Sequence, residues 1–195
     1  MEQRVIYEAA TLEVRREGKR PTIRGTFPYG ALAVISDRGK VRKERILRGA
    51  FDYTLENEDR EVNLLFGHDF DKPLASRSAG TLVFEDSDEA LIFEALIEPA
   101  LEDVTHVRDA LRLLESGLVR GISPGFRVPP KEVVPEAERL DPEEGNPGVF
   151  IRTILALVLY EISLVTRPAY PSSQAELRAL EQAAYRAQRE RIILP

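Results

Sequence analysis

Residues 149–165 read Val-Phe-Ile-Arg-Thr-Ile-Leu-Ala-Leu-Val-Leu-Tyr-Glu-Ile-Ser-Leu-Val, and this apolar run ends just before Arg167-Pro168. The run is too long for one ordinary strand of about five or six residues. It therefore predicts either a pair of strands or one bent strand that crosses the core. Its longest wholly apolar stretch, residues 154–160, has seven residues, whereas a membrane-spanning helix needs roughly 20. No association with a membrane is expected.

The part of the chain that precedes this run is rich in short β-favouring segments separated by glycine and proline. Such segments are typical of strands. The acidic cluster within residues 85–89 predicts a hairpin turn between the last two of them. The predicted strands are residues 5–14, 22–27, 31–35, 62–66, 81–85 and 90–97.

Two helices are expected beside these strands. Apolar residues recur at helical spacing from Val104 to Leu114, and Gly117 then predicts the end of this first helix. Residues 172–191 contain neither glycine nor proline. They predict a C-terminal helix, assigned to residues 172–195, whose apolar stripe would serve docking or assembly.

Residues 129–148 are rich in proline, glycine and carboxylates. Such a composition buries too little apolar surface to offset the entropy lost on ordering the chain. The segment therefore predicts a mobile acidic loop within a domain that spans residues 1–171. The expected fold is mainly β with peripheral helices, in the α+β class.

Composition excludes several classes of function. The 195-residue chain has a formal charge of −6 and a pI near 5.2, whereas proteins that bind nucleic acid usually present a surplus of Lys and Arg. The chain has no Cys, which excludes disulfides, thiol catalysis and Cys-ligated metals. Only His68 and His106 are histidines, so a His-rich metal site is hard to build, whereas a carboxylate site for a hard cation stays open. No metal or other cofactor is expected. The charged N-terminal residues do not resemble an export signal, and an intracellular protein is expected.

The first candidate site residue is His68, which follows an apolar strand and Gly67. Histidine is the side chain best suited to move a proton near neutral pH, and it can activate a hydroxyl nucleophile. The alternative is a histidine that only forms a hydrogen bond within a turn.

The second candidate is Ser123, because residues 121–125 read Gly-Ile-Ser-Pro-Gly. The spacing fits the G-x-S-x-G motif of α/β-hydrolases, but that motif needs a helix directly after it. The following Phe-Arg-Val-Pro-Pro cannot form one, and Pro124 has no N–H to donate to an oxyanion. An α/β-hydrolase is therefore disfavoured. The alternative is a serine that caps a Gly/Pro-rich bend.

The third candidate is Glu161, which interrupts the apolar run. A buried carboxylate is unfavourable unless it is paired. Glu161 therefore either lies on an exposed edge or holds a partner such as a histidine or an arginine. Arg167 follows it closely, and could pair with Glu161 or act as an oxyanion stabiliser.

Together these segments resemble the capsid-maturation (prohead) serine proteases of tailed phages. The resemblance covers the chain from about Arg24 to Pro171, with five motifs in the family's order. The motifs are Gly49-Ala50-Phe51, His68-Asp69, Pro73-Leu74-Ala75, residues 123–126 and residues 161–169. This family is in turn similar to the herpesvirus assemblins, which implies a closed β-barrel flanked by helices.

The resemblance implies that Ser123 is the nucleophile and that His68 is its general base. Assemblins use a second histidine as the third member, but His106 lies on a different segment of this chain. Glu161 is therefore the first candidate to orient His68. Asp69 is the alternative third member, ranked second because adjacent residues of a strand face opposite sides.

The implied activity is that of a serine endopeptidase inside the prohead, in the host cytoplasm. It would cut scaffold protein, or the scaffold-like segment of the capsid protein, and also itself. It needs no cofactor, and it is expected to be a homodimer, because assemblins are active as dimers. Two alternatives stay open, which are a catalytically silent β-barrel scaffold or adaptor of capsid assembly and an esterase with the same Ser–His dyad.

Overall fold

The computed structural model describes residues 11–17, 20–37, 40–145 and 149–166. The described strands are β1 Thr11–Glu17, β2 Arg20–Pro28, β3 Ala33–Asp37, β4 Lys40–Ile46, β5 Asn63–Phe66, β6 Asp69–Ser76, β7 Leu82–Asp86, β8 Ala90–Leu96, β9 Gly121–Arg127, β10 Glu138–Pro142, β11 Phe150–Ile154 and β12 Val158–Val165. The described helices are α1 Asp52–Leu55, a 3-10 turn Pro99–Leu101 and α2 Thr105–Glu115. None of these helices is long and apolar enough to cross a membrane.

The described strands form three four-stranded sheets, ordered β1-β2-β8-β7, β10-β11-β4-β3 and β6-β5-β12-β9. The last of these is called the site sheet below. Its central strand β12 pairs parallel with β5 and antiparallel with β9. Nearly all residues of β12 are buried, as expected for a strand with neighbours on both sides.

The apolar run is divided between two sheets. Its first part is β11, its second part is β12, and the chain passes from one sheet to the next at residues 155–157. Leu157 is fully buried at this crossing, where its backbone N–H donates to the carbonyl of Ala50. The prediction that this run contains two strands is confirmed, and the two strands lie in different sheets.

The expected closed β-barrel is not found among the described residues, because each sheet has two edge strands. Both edge strands of the site sheet contain a proline. Pro73 lies in edge strand β6 and Pro124 in edge strand β9. Neither residue has an N–H for a further strand, and proline is confined to edges and bulges for this reason. The expectation of a mainly β protein with few helices is confirmed.

Several local predictions are confirmed. The predicted strands from residue 22 to residue 97 correspond to β2, β3, β5, β7 and β8, and β7 pairs with β8 as the predicted hairpin. The predicted helix is α2, and Gly117 follows it with a φ of +72°, which suits a helix stop. The predicted strand at residues 5–14 is described only from residue 11, where it is part of β1, and the C-terminal helix at 172–195 lies outside the described residues.

The acidic segment at 129–148 differs from the loop that was expected. Its residues 138–142 form β10, which pairs antiparallel with β11. Glu138 accepts a hydrogen bond from Nε of Arg152 at 2.6 Å, and Glu143 from Nζ of the buried Lys43 at 2.6 Å. Paired carboxylates lose the repulsion and hydration that favour an open loop. Part of the segment expected to be a mobile loop is therefore a strand, and its mobility stays a prediction.

The site sheet has one apolar face and one polar face. Ile122, Ile162 and Leu164 alternate with polar residues along β9 and β12, and all three belong to the buried hydrophobic core. Because successive side chains of a strand point to opposite faces, Ser123 and Ser163 share the other face. One face of the site sheet therefore packs against the core, and the opposite face carries the candidate site.

Candidate active site

His68 lies in a strained two-residue turn between β5 and β6. Gly67 and His68 have φ values of +71° and +62°, the combination that a type I′ hairpin turn requires. A positive φ is uncommon for a residue other than glycine. The turn is attached to β12, because the N–H of Gly67 donates to the carbonyl of Leu164 at 3.1 Å and that of His68 to Oγ of Ser163 at 2.9 Å. The backbone therefore fixes the position of the imidazole.

Glu161 holds the imidazole from the middle of the site sheet. Its Oε1 lies 2.6 Å from Nδ1 of His68, and its Oε2 accepts a hydrogen bond from Oγ of Ser163 at 2.6 Å. The residue is 4% exposed, and both of its oxygens have a partner, as a buried carboxylate requires. Glu161 thus lies against Nδ1 of His68, where the carboxylate of a catalytic triad lies relative to its histidine.

The other ring nitrogen of His68 is buried and has no hydrogen-bond partner among the described residues. Buried polar atoms are nearly always paired, so an unpaired one needs a reason. When Nδ1 donates its proton to Glu161, Nε2 carries a lone pair and can accept a proton. An accepting nitrogen of this kind is what a general base presents to a nucleophile.

Ser123 lies on β9, on the same face as the His68–Glu161 pair. In the register of β9 and β12, Ser123 is directly opposite Ser163, and Gly125 is directly opposite Glu161. Directly opposite residues share a face of the sheet. Ser163 faces Ser123 across the strands and also bonds to the backbone of His68. The fold therefore places Ser123, fully buried, on the face of the site sheet that carries Ser163 and Glu161, and Ser123 forms no hydrogen bond with Nε2 of His68.

Gly125 is needed for the carboxylate to lie where it does. A Cβ atom built at this position would come within 2.2 Å of Oε1 of Glu161, the oxygen that bonds to His68. Real contacts of a Cβ are never so short, and Glu161 is held at both oxygens. Glycine in a strand often marks such a close approach of another group.

The other sequence-predicted residues lie apart from this cluster or outside the description. Asp69 pairs with Lys72 at 2.8 Å, and the hydrogen bond from Lys72 lowers the pKa of Asp69. His106 bonds through Nε2 to the carbonyl of Pro73 at 2.9 Å. Arg167 lies outside the described residues. Within the part of the chain that the structure describes, Glu161 holds His68 Nδ1 and Asp69 does not.

Sequence reasoning missed Ser163, which bonds to Glu161 and to the backbone of His68. The signal was the spacing of Glu161 and Ser163, two positions apart in a strand, which places both on one face. No group of three or more metal-ligating side chains occurs among the residues described here. The groups that meet at this face, a hydroxyl, an imidazole and a carboxylate, are those of nucleophilic and acid–base catalysis.

Comparison with protein-family models gives a match over residues 28–187 to the family described as caudovirus prohead serine protease. The matched region contains all three residues of the cluster. No curated protein and no solved structure matches the chain. Because the family match covers most of the 195 residues, this chain belongs to the caudovirus prohead serine proteases.

Proposed function

We propose that this chain is the serine endopeptidase that processes an immature phage capsid, with Ser123, His68 and Glu161 as its catalytic residues. Membership of the family supports a serine peptidase of capsid maturation. The observation that carries the assignment of residues is the 2.6 Å contact between Glu161 and Nδ1 of His68. Nε2 of His68 has no hydrogen-bond partner among the described residues, and Ser123 lies on the same face of the sheet as Glu161.

The chemistry follows from these positions. Oγ of Ser123 attacks the carbonyl carbon of the scissile peptide bond while Nε2 of His68 takes the hydroxyl proton. The C–N bond then breaks, and His68 returns the proton to the leaving amine. Water hydrolyses the acyl-enzyme by the same route in reverse order. Glu161 stabilises the imidazolium that forms in each half-reaction.

The oxyanion needs donors other than the amide directly after the nucleophile. That position is Pro124, which has no N–H. Arg167 is our candidate, on the resemblance to the family and on its position shortly after β12 in the sequence. A guanidinium that faces the developing charge would stabilise the transition state more than the ground state.

The proposed substrates are scaffold protein, or the scaffold-like segment of the capsid protein, and the protease itself, all inside the prohead. Two alternative functions make different predictions from those of a capsid-maturation protease. An esterase with the same residues would hydrolyse small esters but leave capsid-protein segments intact. A silent scaffold would contain the same cluster and carry out no covalent chemistry.

A fluorophosphonate probe distinguishes an enzyme from a silent scaffold. We expect covalent labelling at Ser123, located by mass spectrometry, and no labelling of Ser123→Ala. The matched control is Ser116→Ala at the end of α2, where the serine is exposed, and this variant should label like the parent. Because Ser123 is buried, the reaction is followed to completion. A folded protein that never labels would contradict the proposal.

Self-association is part of the proposal, on the resemblance to assemblins. If the active form is a dimer, specific activity should fall as the protein is diluted, and the fall should coincide with the loss of the dimer in sedimentation. Activity that stays constant over the whole concentration range would show that a single chain is sufficient.

We expect Ser163→Ala to weaken catalysis without removing any of the proposed reacting groups. The change takes one hydrogen bond from Glu161 and leaves the N–H of His68 without its acceptor, which should destabilise the fold by about 1–3 kcal/mol. Misplacement of the imidazole should lower kcat by up to about 10²-fold, with little change in KM. Peptide kinetics at a temperature where both proteins are folded would check this. A variant that loses stability but retains full kcat would limit Ser163 to a structural role.

A further inference from the structure

A pocket of about 410 Å³ adjoins the proposed active site. Its volume lies within the range of sites that bind small molecules or single side chains. It shares Gly125 and Glu161 with the site, and Asn63 is paired with Glu161 across β5 and β12. The described residues that line it are Glu61, Asn63, Phe70, Gly125, Tyr160 and Glu161.

Two aromatic residues, Phe70 and Tyr160, line the pocket. Phe70 is 61% exposed, although it lies only two positions after His68. Tyr160 occupies the point where the register of β9 and β12 shifts, and such a bulge redirects a side chain. Exposed aromatic surface beside a site is typical of a binding surface. The two rings suit the aliphatic part of a long side chain.

The charge on the described wall is negative. Glu61 is held in place because its Oε2 accepts a hydrogen bond from the N–H of Ser78 at 3.1 Å. Glu161 has both oxygens engaged within the catalytic cluster. No Lys or Arg is among the described lining residues. Arg127 lies 5.5 Å from the centre of the Tyr160 ring but does not line the pocket.

We infer that this pocket binds the side chain of a lysine or arginine that flanks the bond to be cut. The aliphatic part of that side chain lies against Phe70 and Tyr160, and its cation lies beside Glu61. Long basic side chains combine apolar and charged parts in this way, and a carboxylate in the specificity pocket is how trypsin selects them. A substrate glutamate or aspartate is disfavoured by repulsion. This inference rests on the proposed function.

The first test is a peptide library digested with the full chain and read by mass spectrometry. We expect lysine and arginine to be enriched at one of the two positions that flank the cut. A matched pair of peptides, with lysine or uncharged norleucine at that position, then measures how much the positive charge of the substrate contributes to kcat/KM. Glu61→Gln should lower the ratio of kcat/KM for lysine over norleucine by about three- to tenfold, as expected for a partly exposed charge pair.

Glu58→Gln is the control, since Glu58 is exposed, has the same charge and does not line the pocket. It should leave the ratio unchanged, whereas Glu61→Lys should shift the preference toward glutamate. Equal cleavage of the lysine and norleucine peptides, or an unchanged ratio in Glu61→Gln, would overturn the inference. Fluorophosphonate labelling of Ser123 in the same samples distinguishes a failure of the pocket inference from a failure of the proposed function. Labelled protein without a charge preference refutes only the pocket, and protein that never labels refutes the proposed function as well.

Discussion

Ser123→Ala is expected to lower the rate of capsid-protein cleavage by on the order of 10⁶, since removal of a serine nucleophile removes the covalent route altogether. His68→Ala should cause a comparable loss. The double variant should be no worse than either single one, because residues of a triad act as one unit. Cleavage of a peptide from the scaffold-like segment, quantified by mass spectrometry, would measure all three rates.

Circular dichroism and urea unfolding serve as controls for these variants, because Ser123 lies in the buried part of β9. A folded Ser123→Ala protein that retains more than a small percentage of the parental rate would show that another residue is the nucleophile. Losses that multiply in the double variant would show that Ser123 and His68 act independently.

Glu161→Gln is expected to lower the cleavage rate by on the order of 10² to 10⁴, the range seen when other triads lose their carboxylate. Glutamine retains the shape of the side chain but not the charge that stabilises the imidazolium of His68. The fold should survive, because Ser163 and His68 can still form hydrogen bonds with the amide. Steady-state kinetics on the same peptide would measure the loss.

Asp69→Asn is the matched comparison, because it makes the same chemical change in the carboxylate beside His68. Asp69 pairs with Lys72, so this variant should retain nearly full activity. If Asp69→Asn abolishes activity and Glu161→Gln does not, Asp69 is the third member. If neither change matters, the site works as a Ser–His dyad, and Glu161 only positions the turn.

Much of the site could be predicted because its residues lie in apolar surroundings. Glu161 was informative as a carboxylate inside an apolar run, since burial demands a partner. That the partner is His68 could not be derived from the sequence, because the two residues are 93 positions apart and only the parallel pairing of β5 with β12 brings them together. The backbone geometry of the turn at Gly67 and His68 could not be predicted either, because a histidine with positive φ has no reliable sequence signal.

Two of the strands that the sequence did not predict, β4 and β10, are rich in charged residues. β4 reads Lys-Val-Arg-Lys-Glu-Arg-Ile, a composition that suggests a solvated segment. Glu44 of this strand is nevertheless fully buried, and it pairs with Arg152 of β11 at 2.9 Å. Lys43 pairs in the same way with Glu143 of the acidic segment. A charged segment can be buried when another segment supplies an opposite charge to pair with it. Such ion pairs between distant segments cannot be predicted from one sequence.

The parallel pairing of β5 with β12 also delays the meeting of His68 with Glu161 during synthesis of the chain. His68 and Ser123 are synthesised long before Glu161, and the turn that carries His68 is attached to residues of β12. Contacts between such distant segments form late, because a long loop must close first. Most of this chain is therefore synthesised before the imidazole of His68 can contact the carboxylate of Glu161.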